Sequence, residues 1–325
     1  MRLGVVIPCY RQERFLARTL AALERSLAGR DWLGVLVLAA ADGGTTLPER
    51  SPHWRVLRAA AGTDARPLTP GAARNAGFEA CGGAWVLFVD ADVEVEPAWI
   101  DRACRVAATD VTAAGLWGRI EEWFEDGAGV RPGNRDLYRI GDGDAVASYT
   151  ATLSFYRRDA LAHVGGYESR RQSEADFELG KRLRQAGYPL RTLAPLAAKH
   201  WSAPRPSFSE VQRRWRTGLC FGPGQALRLY LGRRGFIVLA RRNAHYFGTL
   251  ALWLAAPFAF AWGGPRALAG WAIVWLALFA LLAARKRSPR LALHSLVTWT
   301  VMAAGTVVGF VRGGVAAPAP VREVA

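Results

Sequence analysis

Ala84-Trp85-Val86-Leu87-Phe88-Val89-Asp90-Ala91-Asp92 is the stretch on which the reading of this chain turns. Its six apolar residues are rich in β-formers and follow Gly82-Gly83, so they predict a short buried strand. Two carboxylates one residue apart then stand at the carboxyl end of that strand, where open α/β sheets bind their ligands. Oxygen donors of this kind suit a hard cation, Mg²⁺ or Mn²⁺, shared with the phosphates of a substrate.

Working outward, strand-like and helix-like segments alternate. Residues 3–7 read as a strand ending at Pro8, and Phe15, Leu16, Thr19, Leu20 and Leu23 recur at helical spacing after it. Strands follow at 33–38 and 54–57, then a helix over 71–80 with a glycine-rich entry, then the strand at 84–89. This alternation predicts an α/β fold with a mostly parallel central sheet. Residues 113–150 mix aromatics with acids, glycines and a proline, and read as irregular surface facing a substrate. Order is expected again from 151–156, a strand, through the turn Gly165-Gly166-Tyr167 to a helix over 175–186 closed by Gly187.

The charge of +15 is unevenly placed. Residues 199–325 carry 17 of the 42 Lys and Arg residues but only two acids, Glu210 and Glu323, so residues 1–198 are neutral. No nucleic-acid motif accompanies the excess. Its arginines flank apolar runs instead, a pattern that points to an anionic membrane surface and away from nucleic acid. Residues 207–243 predict a basic amphipathic segment lying in the interface. The apolar runs 244–262, 267–284 and 291–311 each approach the length of a membrane span, giving a transmembrane region of about three helices over 244–311 and a tail over 312–325. The bias of basic residues places the N-terminal domain, 1–206, in the cytoplasm and the C-terminus outside. No signal peptide is expected, since Met1-Arg2 leads straight into the first strand. The four cysteines, Cys9, Cys81, Cys104 and Cys220, have no zinc spacing and read as reduced thiols.

Four blocks occur in order: Val5-Val6-Ile7-Pro8-Cys9-Tyr10, Gly71-Ala72-Ala73-Arg74-Asn75-Ala76-Gly77, Phe88-Val89-Asp90-Ala91-Asp92, and Gly165-Gly166-Tyr167-Glu168 with Asp176-Phe177-Glu178-Leu179. Together they resemble the inverting family 2 glycosyltransferases of GT-A fold across about residues 1–215. The resemblance implies transfer of a sugar from a nucleotide-sugar donor to a hydroxyl acceptor, with Mg²⁺ or Mn²⁺ as cofactor. For a membrane-anchored chain the acceptor is expected to be lipid-linked or a cell-envelope glycan at the cytoplasmic face.

The same resemblance assigns roles. Asp92 is the leading metal ligand, Asp90 reaches the metal or the ribose, and His200 meets the metal or the diphosphate. Pro8, Tyr10, Asp42, Gly71, Arg74 and Asn75 join Asp90 in holding the donor: Tyr10 stacks on the base, Asp42 accepts from a nucleobase N–H, and Arg74 offers cationic donors to the diphosphate or sugar. Asp176 is the base that takes the acceptor proton. The chain departs from the family pattern at Ala41 and Gly44 around Asp42, at Ala175 before Asp176, and at Val211, which stands at the Gln position of the processive Gln-x-x-Arg-Trp motif ending in Arg214-Trp215. Processive synthesis is therefore not expected. Two other readings stand beside this one: a nucleotidyltransferase, against which Cys9-Tyr10-Arg11-Gln12 lacks the glycines of a phosphate loop, and a GT-A-fold membrane scaffold that is catalytically weak or inactive.

Overall fold

Alternate residues of the central strands face opposite sides, and both sides are apolar. That pattern requires helices on both faces of the sheet. A computed structural model shows how they are placed; it describes all residues except 11, 40–50, 61–66, 128, 203–207, 234, 316–319 and 325. The chain divides into two units, one of residues 1–170, 175–204 and 316–325, the other of 171–174 and 205–315.

The first unit runs β1 (Leu3–Cys9), α1 (Glu13–Ser26), β2 (Trp32–Leu38), β3 (Trp54–Ala59), α2 (Pro70–Ala80), β4 (Trp85–Val89), β5 (Val93–Val95) and α3 (Pro97–Thr109). It continues with β6 (Gly115–Asp126), β7 (Gly129–Pro132), β8 (Ala145–Ala147), β9 (Leu153–Arg157), α4 (Arg158–His163), α5 (Ala175–Gln185) and β10 (Leu190–Ser202). The strand order is β11-β3-β2-β1-β4-β9-β6-β10-β5, where β11 is Val321–Val324; β7 pairs with β6 and β8 with β10. The expected parallel pairing holds over β3-β2-β1-β4 and returns between β6 and β10. Elsewhere the sheet is antiparallel, so it is mixed and not mostly parallel. The reason lies in residues 113–150, expected to be irregular. They hold β6, β7 and β8 with no helix among the described residues, and without a helical crossover β9 enters between β4 and β6 from the opposite end.

Val5, Ile7, Leu36, Leu87 and Val89 pack on one face of the sheet with Leu16, Leu20, Leu23 and Trp99 of α1 and α3. Val6, Val35, Val37, Val86 and Phe88 pack on the other with Ala72 and Ala73 of α2 and Leu179 of α5. Helix α2 starts where the Thr69 hydroxyl accepts from the Ala72 N–H at 3.1 Å, with Pro70 opening its first turn. It lies tight on β1 because Gly77 has no side chain: a Cβ there would sit 2.3 Å from Val6 Cγ1.

In the second unit, the described residues between 208 and 242 include three short α-helices, α6 (Phe208–Arg216), α7 (Gly222–Leu229) and α8 (Phe236–Arg242). Then come α9 (Ala244–Lys286) and α10 (Pro289–Arg312), two helices long and apolar enough to cross a membrane, with mean hydropathy 2.3 and 1.6. Helix α9 contains the first two apolar runs. It breaks at Gly264, whose φ of 60° leaves the helical region, just before Pro265. The halves fold back on each other: Trp253 packs its ring 5.6 Å from Trp271 and 4.9 Å from Trp275, and the Trp271 indole N–H donates to the Leu252 carbonyl at 2.6 Å.

Replacing Gly77 with Ala should cost about 1–3 kcal/mol by forcing α2 off β1. A lowered Tm of the purified protein, with the nucleotide-dependent thermal shift weakened as well, is the expected measurement.

Candidate active site

The parallel pairing of β1 with β4 brings the ends of both strands to one edge of the sheet. The main chain of the acidic motif is pinned there. The Asp90 N–H donates to the Thr152 carbonyl at 3.1 Å, the Thr19 hydroxyl to the Ala91 carbonyl at 2.9 Å, and the Trp201 N–H to the Asp92 carbonyl at 2.8 Å. With the backbone held, the two carboxylates take different partners.

Asp92 is nearly buried, with 9% of its surface exposed. The Gln12 amide donates to its Oδ2 at 2.5 Å, and His200 Nε2 lies 3.5 Å from the same oxygen. Burial pushes the Asp92 carboxyl up to about 6; the charge of Asp90 adds to this, while His200 and the Gln12 hydrogen bond oppose it. Its Oδ1, like His200 Nδ1, is buried without a hydrogen-bond partner. A desolvated carboxylate with an orphaned oxygen beside an imidazole is a donor set that a divalent cation would satisfy. Among the described residues no cluster of three or more His, Cys, Asp or Glu could hold a metal alone. Mg²⁺ and Mn²⁺ sites that bind phosphate need fewer, because the substrate and water complete the shell. The residues present therefore fit a cation held by Asp92 and His200.

Asp90 turns the other way. Its Oδ1 accepts from Arg74 Nη2 at 2.7 Å, and Arg74 Nη1 stands 3.6 Å from Asp176 Oδ1. Arg74 is buried, with 5% exposure, and lies over the Tyr167 ring, 5.3 Å from its centroid. Burial opposes its charge, but Asp176 and Asp90 more than offset that and raise its proton affinity above the usual guanidinium value. One cation thus couples the acidic motif at β4 to the first turn of α5. Asn75, the next residue of α2, holds the chain that leads to Asp176: its amide donates to the Tyr167 carbonyl at 2.8 Å and the Ser169 hydroxyl at 3.1 Å, and accepts from the Tyr167 N–H at 2.8 Å. Gly71 and Gly166 permit this approach, since a Cβ on Gly71 would lie 2.6 Å from the Glu168 carbonyl oxygen and one on Gly166 2.7 Å from Asn75 Oδ1. Arg182 ties the same turn to α5, donating to the Gly166 carbonyl at 2.7 Å and to Glu178 at 2.6 Å.

The structure thus gathers Asp92 with His200, and Asp90 with Arg74 and Asp176, while Gly71 and Asn75 contact the 166–169 turn. Pro8 lies in β1 opposite Val37, and Tyr10 follows the strand, half-buried. Asp42 lies outside the described residues. Two groups were not foreseen. Gln12 could have been noticed, because it follows β1 on the edge where Asp92 follows β4. Tyr138 lies in the 113–150 segment expected to face a substrate, but nothing in the spacing there singles it out. Its hydroxyl hydrogen-bonds that of Thr152 at 2.7 Å, and burial pushes the phenol up, with Asp90 and Asp176 adding to the effect. Tyr138 also lines a cavity of about 280 Å³ with Trp117, Tyr149 and Thr192. Tyr149 packs 5.7 Å from Phe177, the residue after Asp176.

Residues 62–165, which include α2 and the acidic motif, match the family model described as glycosyl transferase family 2. These residues are thus a segment of family 2 glycosyltransferase type. Glycosyltransferase AglE of Haloferax volcanii is similar to it, 26% identical over 191 residues; the match covers 58% of this chain and 58% of the relative. The mannosyltransferase PcManGT from Pyrobaculum calidifontis, solved in complex with GDP-Man and Mn²⁺, shares the fold with a TM-score of 0.59 at 17% identity, over 95% of this chain and 86% of that one. The glycosyltransferase domain is thus of the GT-A type, with the acidic motif at the end of its central strand.

Two substitutions test the geometry. The folded domain binds a proton at Asp92 more tightly than the unfolded chain does, so the stability that proton contributes is present at low pH and lost as pH rises from about 4 through about 6. Asp92→Asn should therefore raise the Tm of the metal-free protein at pH 7.5, by the equivalent of at most about 3 kcal/mol, with the gain vanishing near pH 4. Arg74→Met should cost about 3–5 kcal/mol, because two carboxylates lose the cation between them; chemical denaturation would measure it.

Proposed function

We propose that this chain is an inverting, metal-dependent glycosyltransferase that moves a sugar from a nucleotide-sugar donor to a hydroxyl acceptor, lipid-linked or part of a cell-envelope glycan, at the cytoplasmic face of the membrane. The observation that carries the proposal is the placement of Asp176 and Asp90 on one buried arginine, with Asp92, two residues after Asp90, beside His200. This arrangement supports reading Asp176 as the acceptor-side carboxylate beside a site suited to a nucleotide diphosphate. Relatives support the donor class: PcManGT was solved with GDP-Man and Mn²⁺.

In this reading Asp92 and His200 hold the cation, which supplies a counter-charge for the diphosphate leaving group. Pro8, Tyr10, Asp42, Gly71, Arg74, Asn75 and Asp90 form the donor side, Gly71 and Asn75 by holding the turn that closes it. Asp176 accepts the proton of the acceptor hydroxyl as its oxygen bonds to the anomeric carbon and the bond from that carbon to the phosphate oxygen breaks. Attack from the face opposite the leaving group inverts the anomeric centre. Arg74 keeps Asp176 in place through the reaction. The cavity beside Phe177, walled by Trp117, Tyr138 and Tyr149, offers apolar ring faces to an acceptor.

The membrane reading rests on α9 and on charge. Arg241 and Arg242 precede it and Arg285, Lys286 and Arg287 end or follow it, while Arg266 stands alone at its central break. Basic residues at the two ends support a cytoplasmic location for those ends and for the catalytic domain before them.

The test is a screen of UDP-, GDP- and dTDP-sugars with Mg²⁺ or Mn²⁺ on detergent-purified protein, read as nucleotide release. Asp176→Asn should lower kcat about 10²–10⁴-fold while keeping the donor-induced thermal shift. Asp92→Asn should lose the metal-dependent part of that shift. Full activity in either variant would refute the assignment.

A further inference from the structure

We infer that α10, although long and apolar enough to cross a bilayer, does not cross it, and that β11 stays on the side of the membrane that holds the catalytic unit. The inference rests on the reading of α9 as membrane-embedded. It departs from the expectation of three crossings and an external C-terminus.

Helix α9 is a hairpin. Trp253 meets Trp271 and Trp275, 18 and 22 residues later, which a straight helix would hold about 27–33 Å away. The turn is Gly263-Gly264-Pro265, and each arm, 244–263 and 265–286, is about 30 Å long, enough for one crossing. A hairpin returns the chain to the side it left. Helix α10 therefore begins on the catalytic side, after Arg287 in the left-handed region and the Ser288 cap.

Its far end is on that side too. Arg228 donates to the carbonyls of Phe310, at 3.1 Å, and Val311, the last turn of α10. Arg228 belongs to α7, which in the chain follows the catalytic unit and precedes the hairpin; among the described residues of that stretch the α-helices have nine, eight and seven residues. None approaches the 20 or so residues of a crossing, so Arg228 never leaves the catalytic side. The contact is not a loose one. A Cβ on Gly224 would lie 1.9 Å from the Thr306 carbonyl oxygen, one on Gly309 2.0 Å from that of Phe221, and one on Gly305 2.6 Å from Cys220. The backbones of α7 and α10 touch directly, and Ala303, Gly305, Thr306 and Gly309 are buried there, whereas α9 buries only Thr249 and Leu282.

The third observation is independent of that packing. Residues 321–324 pair antiparallel with β3, from Val321 opposite Ala59 to Val324 opposite Val56, and Glu323 takes two hydrogen bonds from Arg55, at 2.8 and 2.7 Å. A strand of the catalytic sheet cannot lie across the membrane from it, so the crossings between 205 and 321 are even in number. The two arms of α9 supply them. Helix α10 then adds no third crossing: it packs on α7 and against the first arm of the hairpin, where the Trp253 indole N–H donates to the Thr300 hydroxyl at 3.1 Å and the Trp299 ring lies 5.9 Å from that of His245, with Arg290 and Arg312 at its two ends suited to anionic headgroups.

The experiment labels single cysteines with a membrane-impermeant maleimide in a full-length Cys104→Ser chain, whose remaining cysteines are buried. Arg266→Cys should label in intact protoplasts, whereas Arg322→Cys should lose labelling there and regain it on permeabilisation. In the same background, Arg58→Cys with Arg322→Cys, opposed in the register, should be joined by a short bis-maleimide. Labelling of both single variants from outside would overturn the inference, as would absence of the cross-link. If neither labels and alkaline carbonate strips the chain from membranes, the membrane reading of α9 fails, and the inference falls with it for that distinguishable reason.

Discussion

The buried guanidinium of Arg74 is the constraint around which the glycosyltransferase domain is organised. A cation with so little exposure is tolerated only if anions face it, and Asp90 and Asp176 do. Those acids come from elements far apart in the chain, the end of β4 and the start of α5. To bring them together, α2 must sit close on β1, which Gly77 allows, and the 166–169 turn must close over α2, which Gly71, Gly166 and Asn75 allow. Much of what resembles a family motif here is the machinery that buries one charge.

The division of labour within Asp90-Ala91-Asp92 follows from the same constraint. Asp90 is committed to the arginine, so its neighbour Asp92 is the carboxylate left with an unsatisfied buried oxygen and a raised proton affinity. A site with one neutralised acid and one hungry acid is better suited to binding a cation with its phosphate than a pair of free acids, which would repel each other. The aromatic cavity at Tyr138 and Tyr149 is joined to the start of α5 by the Tyr149–Phe177 ring contact, and most of its walls come from the segment between β6 and β9, with Trp117 of β6 and Thr192 of β10.

Legibility differed by kind of signal. The strand at β4, the α2 helix and the α5 helix were readable because each has a short-range signature: an apolar run, a glycine-marked entry, a glycine stop. Strand β6 was hidden, because Gly118, Arg119, Glu121 and Glu122 interrupt its apolar residues and Trp123 and Phe124 are adjacent, so no clean period survives. The role of Gln12 was unreadable in isolation, since its partner Asp92 lies 80 residues away and only the parallel pairing of β1 and β4 joins them. Asn75 was expected at the donor; its amide also bonds the Tyr167 backbone and the Ser169 hydroxyl, contacts visible only once the turn is folded.

Sequence alone determined the α/β class, the acidic motif at the end of a buried strand, the concentration of basic charge in the last third of the chain and the three apolar runs. These are local properties, set by residue type and spacing. Tertiary structure decided what Asp90 and Asp92 each touch, that Arg74 is shared with Asp176, that two of the apolar runs are one hairpin, and that residues 321–324 complete the edge of the catalytic sheet. Each of these is a contact between distant residues, and no spacing rule encodes it, because its energy comes from burying charge and backbone against partners that only the folded chain supplies.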